Sequence, residues 1–151
     1  MQNNINELLS LLKKLNIETK PLWGKMSAQH MVEHLILAAK MSNGKLKYEC
    51  FNPPEKLPVL KDFLTSSRPL PRNFVNPAIG EDLIPLEYES LEMAKKVLNQ
   101  EMANHFDYFN KYPDAVLTNV TFGDLNKSEW EIFHLKHITH HFNQFGLIEL
   151  D

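Results

Sequence analysis

Apolar residues return every three to four positions along four stretches of this chain, and the polar residues between them fall on the opposite side. In the first stretch Ile5, Leu8, Leu9, Leu12 and Leu15 keep the helical period, with Glu7, Lys13 and Lys14 off the stripe. That spacing predicts a helix over residues 3–16. Pro21 and Gly24 then break the chain. Ser27 reads as an N-cap, with Met26 and Met31 spaced as a hydrophobic staple, and opens a second helix that runs to about Met41. Ser42-Asn43-Gly44 stops it. Its inward stripe reads Met31, His34/Leu35, Ala38, so His34 points where the core points.

A third helix is expected over about 90–110, after Ser90 and before Pro113. Its broad apolar face comprises Leu91, Ala94, Leu98, Met102, His105/Phe106 and Phe109. The fourth has the clearest start. Asn126 with Glu129 three positions on forms a capping-box pattern, and Leu125 with Trp130 forms the staple. It continues through Phe133, His137, His141 and Gln144 to Gly146. Four amphipathic segments predict an all-α fold, a four-helix bundle in a single domain spanning residues 1–151.

Between the second and third helices lies a long proline-rich loop, residues 44–88, which holds seven of the nine prolines. A short helix is expected at about 58–65, from Val59, Leu60, Phe63 and Leu64. Phe51, Phe74 and Ile79 predict a cover packed over the bundle.

Composition adds exclusions. A chain of 151 residues, 43% hydrophobic and with a formal charge of −3, is large enough for a real core. It has no block of Lys/Arg that would point to nucleic acid or an anionic membrane. No apolar run approaches the ~18 residues of a membrane span. The opening Met1-Gln2-Asn3-Asn4 lacks the pattern of an export signal, and the lone Cys50 has no internal disulfide partner, so a reducing cytoplasm is expected.

The candidate chemistry lies in the histidines. His30/His34 and His137/His141 are both i, i+4 pairs, which place two imidazoles on one helical face roughly 6 Å apart. Two such rings with a third from a facing helix suit a metal ion at about 2.0 Å per bond. His34, His137 and His141 are the expected ligands. His140 is turned about 100° from His141 and is expected on the surface or a second face. His30, at the first turn of its helix, is expected at the mouth of the site rather than on the ion, and His105 in a mixed core. Gln144, three residues past His141, is placed to hydrogen-bond a ligand or to lie at the helix surface. Arg68 and Arg72 are candidates for an anionic substrate tail, though solvated loop arginines are commoner. Ile138 follows His137, so the pair lacks the glutamate of an HExxH motif. Glu33 is expected to turn away from the face of His34, and Glu101 to face solvent rather than the interior. No carboxylate is evident as a base.

Two segments carry a family resemblance. Trp23-Gly24-Lys25-Met26-Ser27-Ala28-Gln29-His30-Met31-Val32-Glu33-His34-Leu35 and Phe122-Gly123-Asp124-Leu125 through Glu129-Trp130 to His137-Ile138-Thr139-His140-His141-Phe142-Asn143-Gln144-Phe145-Gly146 resemble the DinB-like (YfiT-like) metal-dependent hydrolase superfamily. The stretch from Phe63-Leu64 through Pro69-Leu70-Pro71-Arg72-Asn73-Phe74 to Asn76-Pro77 is similar to one branch of it, catalogued as a domain of unknown function. The resemblance implies a four-helix bundle holding one divalent metal, zinc or nickel foremost, on His34, His137 and His141. His30 stands where the family pattern has glutamine or another polar residue. The activities implied are those of a metal-dependent hydrolase or a thiol-dependent transferase acting on a small molecule. The alternative is a non-catalytic accessory or partner-binding module with a structural metal, linked by similarity to phenylacetate (oxepin-CoA) degradation. A homodimer is compatible with a bundle of this size.

Overall fold

A computed structural model describes residues 1–72 and 83–150. Among these the chain is mostly helical, 56% helix, with five α-helices and one small hairpin. They are α1 (Gln2–Leu9), α2 (Ala28–Ser42), α3 (Leu57–Leu64), α4 (Leu91–Lys111) and α5 (Lys127–Gln144), with β1 (Leu117–Asn119) and β2 (Gly123–Leu125) between the last two. No helix among the described residues is long and apolar enough to cross a membrane.

The first segment departs from the single helix expected over 3–16. It is α-helical only to Leu9 and continues as a 3-10 turn over Ser10–Lys14. Three residues per turn stack positions i and i+3 on one side. Leu12 and Leu15, 3% and 1% exposed, therefore both reach the core while Lys13 and Lys14 stay in water. The remaining helices start and stop within a residue or two of their sequence signals.

Their caps explain this. Ser27 Oγ accepts the His30 N–H at 3.1 Å, and His30 Nδ1 lies 2.7 Å from Ser27 Oγ and accepts the Ser27 N–H at 3.4 Å. His30 thus fills the capping-box position usually held by Glu or Gln. Ser90 Oγ accepts the Met93 N–H to open α4. Asn126 and Glu129 make the reciprocal pair that opens α5.

α2 packs on α4 and α5, and α1 on α5. Ile5, Leu9, Leu12, Met31, Leu35, Ile36, Leu98, Met102, Ile138 and Phe142 fill the space between them. A second apolar cluster gathers Leu64, Phe109, Phe122, Leu125 and Trp130 beneath α3 and the hairpin. The antiparallel hairpin pairs Leu117 with Leu125 and Asn119 with Gly123, and it was not anticipated from the helical periodicity. Asn119 Oδ1 accepts the N–H of both Thr121 and Phe122, which closes its turn. The Trp130 indole N–H donates to Leu117 O at 3.0 Å and so fastens the hairpin to α5.

The proline-rich stretch is partly ordered, with a 3-10 turn at Pro54–Lys56 leading into α3. Lys136 of α5 donates to Ser66 O and Arg68 O and lies over the Phe63 ring, so one cation anchors the end of this segment. Leu64 and Leu70 of this stretch are buried, as a packed cover requires, whereas Phe51, expected to belong to that cover, is 38% exposed. Phe74 and Ile79 lie outside the described residues.

Candidate metal centre

α2 and α5 present their polar inner positions to each other. His34 comes from the middle of α2, and His137 and His141 from one face of α5, one turn apart. His34 Nε2 and His137 Nε2 stand 3.0 Å apart. One nitrogen from each of the three rings lies within 4.8 Å of the other two, close enough to bind a metal. A tetrahedral ion at 2.0–2.1 Å from each nitrogen needs N···N separations of about 3.3 Å. Only small side-chain shifts separate the described positions from that spacing.

The electrostatics suit the same purpose. Metal binding needs neutral imidazole. Burial, with a further contribution from His140, holds the His34 pKa down at about 4. His137 and His141 fall well below the ordinary value, again through burial first and then through the neighbouring histidines. Such rings stay uncharged at neutral pH and offer lone pairs.

Gln144 supports the arrangement from behind. Its Oε1 accepts a hydrogen bond from His141 Nδ1 at 2.8 Å, which places the proton there and frees Nε2 toward the other two rings. Its amide Nε2 donates to Trp23 O, and its own carbonyl accepts the Leu22 N–H at 2.7 Å. The loop before α2 is thereby clamped to the end of α5. Gly24, at φ +86°, makes room: a Cβ there would stand 2.7 Å from Gln144 Nε2. His137 Nδ1, in contrast, is buried with no hydrogen-bond partner among the described residues.

His34 and His141 open onto a cavity of about 250 Å³, whose walls include Trp23, Lys25, His30, Glu33, Arg72, Tyr88 and His140. His30 lines this cavity and is not one of the three converging rings, since its Nδ1 is taken by Ser27. Arg72 lies over the Trp23 ring, 4.2 Å from its centroid. Arg68 does not line the cavity and sits over Phe63 instead.

One expectation is narrowed and another corrected. Of the two placements expected for His140, it takes the second face and not the surface. It is 8% exposed, edge-on to Trp23 at 5.8 Å, and its ring N–H donates to the Leu70 backbone carbonyl, because the loop and Trp23 cover the side of α5 next to the site. Glu101 does not face solvent either. It is 3% exposed and accepts from Lys45 Nζ and Asn104 Nδ2, both at 2.6 Å, so its charge is paired. Glu33 is spent on the chain itself, accepting the Glu87 and Tyr88 N–H groups and the Gln29 amide.

A second histidine pair escaped sequence reasoning. His105 Nδ1 and His134 Nε2 approach the same Ser42 hydroxyl at 2.8 and 2.7 Å, and that hydroxyl donates to Ala39 O. All three residues are at most 1% exposed. His105 is therefore bonded within the core and is outside the group of three. The signal for His134 is its spacing: it lies four residues after Trp130 and three before His137, on the inward stripe of α5. Ser42→Ala would strand two buried ring nitrogens. The expected cost is roughly 2–4 kcal/mol in urea unfolding, and a loss below about 1 kcal/mol would show that the network is dispensable.

No family model matches the chain, and neither a curated protein nor a solved structure matches it.

Proposed function

We propose that this protein is a divalent-metal-binding four-helix bundle of the DinB-like kind, formed by α1, α2, α4 and α5, with His34, His137 and His141 as ligands. The observation that carries the reading is the convergence of three neutral imidazoles from two helices, His137 and His141 buried and His34 half-buried, with Gln144 fixing the tautomer of one. Three histidine ligands with an open side follow the pattern of catalytic rather than structural zinc. Imidazole ligation suits Zn, Ni, Cu or Fe, and of these zinc or nickel is the ion proposed.

When bound, such an ion acidifies a coordinated water or holds a thiolate or carbonyl oxygen. The chain's own residues do the rest. Trp23, Tyr88, Leu83, Ile84 and Pro85 line the cavity beside the three rings. His30, steadied by Ser27 through Nδ1, leaves Nε2 as the ring atom available to a bound molecule. A hydrolase or thiol-dependent transferase acting on a small molecule in the cytoplasm is the activity class proposed. An accessory module with a purely structural metal fits less well, because a cavity opens directly over two of the ligands.

Protein produced in zinc- or nickel-supplemented medium is expected to carry about one ion per chain. Its thermal midpoint should fall on chelation and recover on readdition. Elemental analysis showing no bound ion after such expression would remove the basis of the proposal.

A further inference from the structure

The cavity over the imidazoles has two walls whose charges are used differently. On the α2 wall the Glu33 carboxylate is saturated: Oε1 accepts from Glu87 N–H at 2.7 Å, and Oε2 from Tyr88 N–H at 3.3 Å and from the Gln29 amide at 2.8 Å. Those bonds turn its lone pairs toward the 87–88 backbone, and Glu87, which also lines the cavity, is exposed to solvent. The other wall carries cations. Arg72 stands over the Trp23 ring at 4.2 Å, Trp23 meets His140 at 5.8 Å, and His140 meets His141 at 4.9 Å. Lys25, from the same loop as Trp23, lines the cavity as well. A continuous run of rings thus links a guanidinium to one of the three converging imidazoles, and Ile36, Leu37, Ile84 and Pro85 supply an apolar surface beside it.

Stacking on an indole holds a guanidinium by its face and leaves its edge of N–H donors for a planar anion. Neither Arg72 nor Lys25 forms an ion pair with an acidic group among the described residues.

We propose that the cavity takes an elongated small molecule with an anionic end. Its apolar middle lies along Ile36, Leu37 and Ile84, its carboxylate or phosphate is held by Arg72 on Trp23, and its other end reaches the three imidazoles. The inference rests on the metal reading for that far end alone. The anion subsite is a separate feature of the cavity wall.

The test uses zinc-loaded protein and calorimetric titration with ω-mercaptoalkanoates of increasing chain length, beside the uncharged mercaptoalkanols of matching length. At the best-fitting length the acid is expected to bind about tenfold or more tightly than the alcohol, the effect of one charge-assisted Arg contact. Arg72→Gln should erase that advantage and leave the alcohol's affinity and the metal content unchanged. Parallel ω-mercaptoalkyl phosphates identify which anion the subsite prefers. Equal affinity for acid and alcohol at every length, or an advantage that survives Arg72→Gln, overturns the proposal. If the protein holds no metal, plain alkanoates replace the thiols. Discrimination against alkanols that Arg72→Gln abolishes would then uphold the anion subsite while the metal reading fails, and no discrimination would end both.

Discussion

His137→Ala is expected to weaken zinc or nickel binding by at least about a hundredfold, while His140→Ala, a change at a buried histidine three residues further on, leaves it within a few-fold. The helix decides the contrast. His137 faces His34 across the α2–α5 interface at 3.0 Å, whereas His140 packs beside Trp23 on the adjoining side. On the proposed reading, losing one of the three ligands removes a bond and opens the site to water, a larger change than the 10–100-fold typical of losing a supporting hydrogen bond. Competition against a chromophoric chelator measures both proteins, and far-UV circular dichroism confirms that each is folded. Equal loss from the two substitutions would show that these histidines matter only to packing. Unchanged affinity in His137→Ala would dismiss that residue as a ligand.

Metal-free protein is expected to lose stability steeply as pH falls from about 6.5 toward 4. Six histidines, His34, His105, His134, His137, His140 and His141, have pKa values lowered chiefly by burial, those of His34 and His105 to about 4. A depressed value in the folded state means that the unfolded chain binds the proton first. The stabilisation is complete above the unfolded value near 6.5 and drains away as pH drops through the folded values. For His34 or His105 alone that amounts to something on the order of 3 kcal/mol. Domains of this kind hold only about 5–15 kcal/mol in all, so several such groups suffice to unfold it before pH 4. Bound metal competes with protons for three of these rings and should move the acid transition to lower pH. Urea unfolding at a series of pH values, with and without zinc, tests this. A stability that stays flat between pH 7 and 4.5 would show that the imidazoles are not shielded from water as described.

Much of this was legible in the chain because helix signals are local. Ser27, Ser90 and Asn126 cap where short-range chemistry says they should, and the apolar period sorted His34, His137 and His141 onto facing sides. The hairpin was hidden because each strand has only three residues, too few for alternation to register against the helices around it. The burial of His140 depends on Trp23 and Leu70 folding over α5, which no spacing within α5 could reveal. The same is true of Glu101, whose partner Lys45 is far away in sequence. Ser42 was read as part of a helix stop, yet its hydroxyl joins α4 to α5 through His105 and His134. Periodicity gives the direction of a side chain. It does not give the neighbour that will meet it.

The empty space at Gly24 has a reach beyond its own turn. Where any other residue would carry a methyl group, the Gln144 amide stands, and that amide grips the chain at Trp23 with one end and His141 with the other. The basicity of an imidazole in the protein's interior is thereby tied to an atom that a loop near the surface does without. Whatever widens that loop also loosens the ring's grip on its proton.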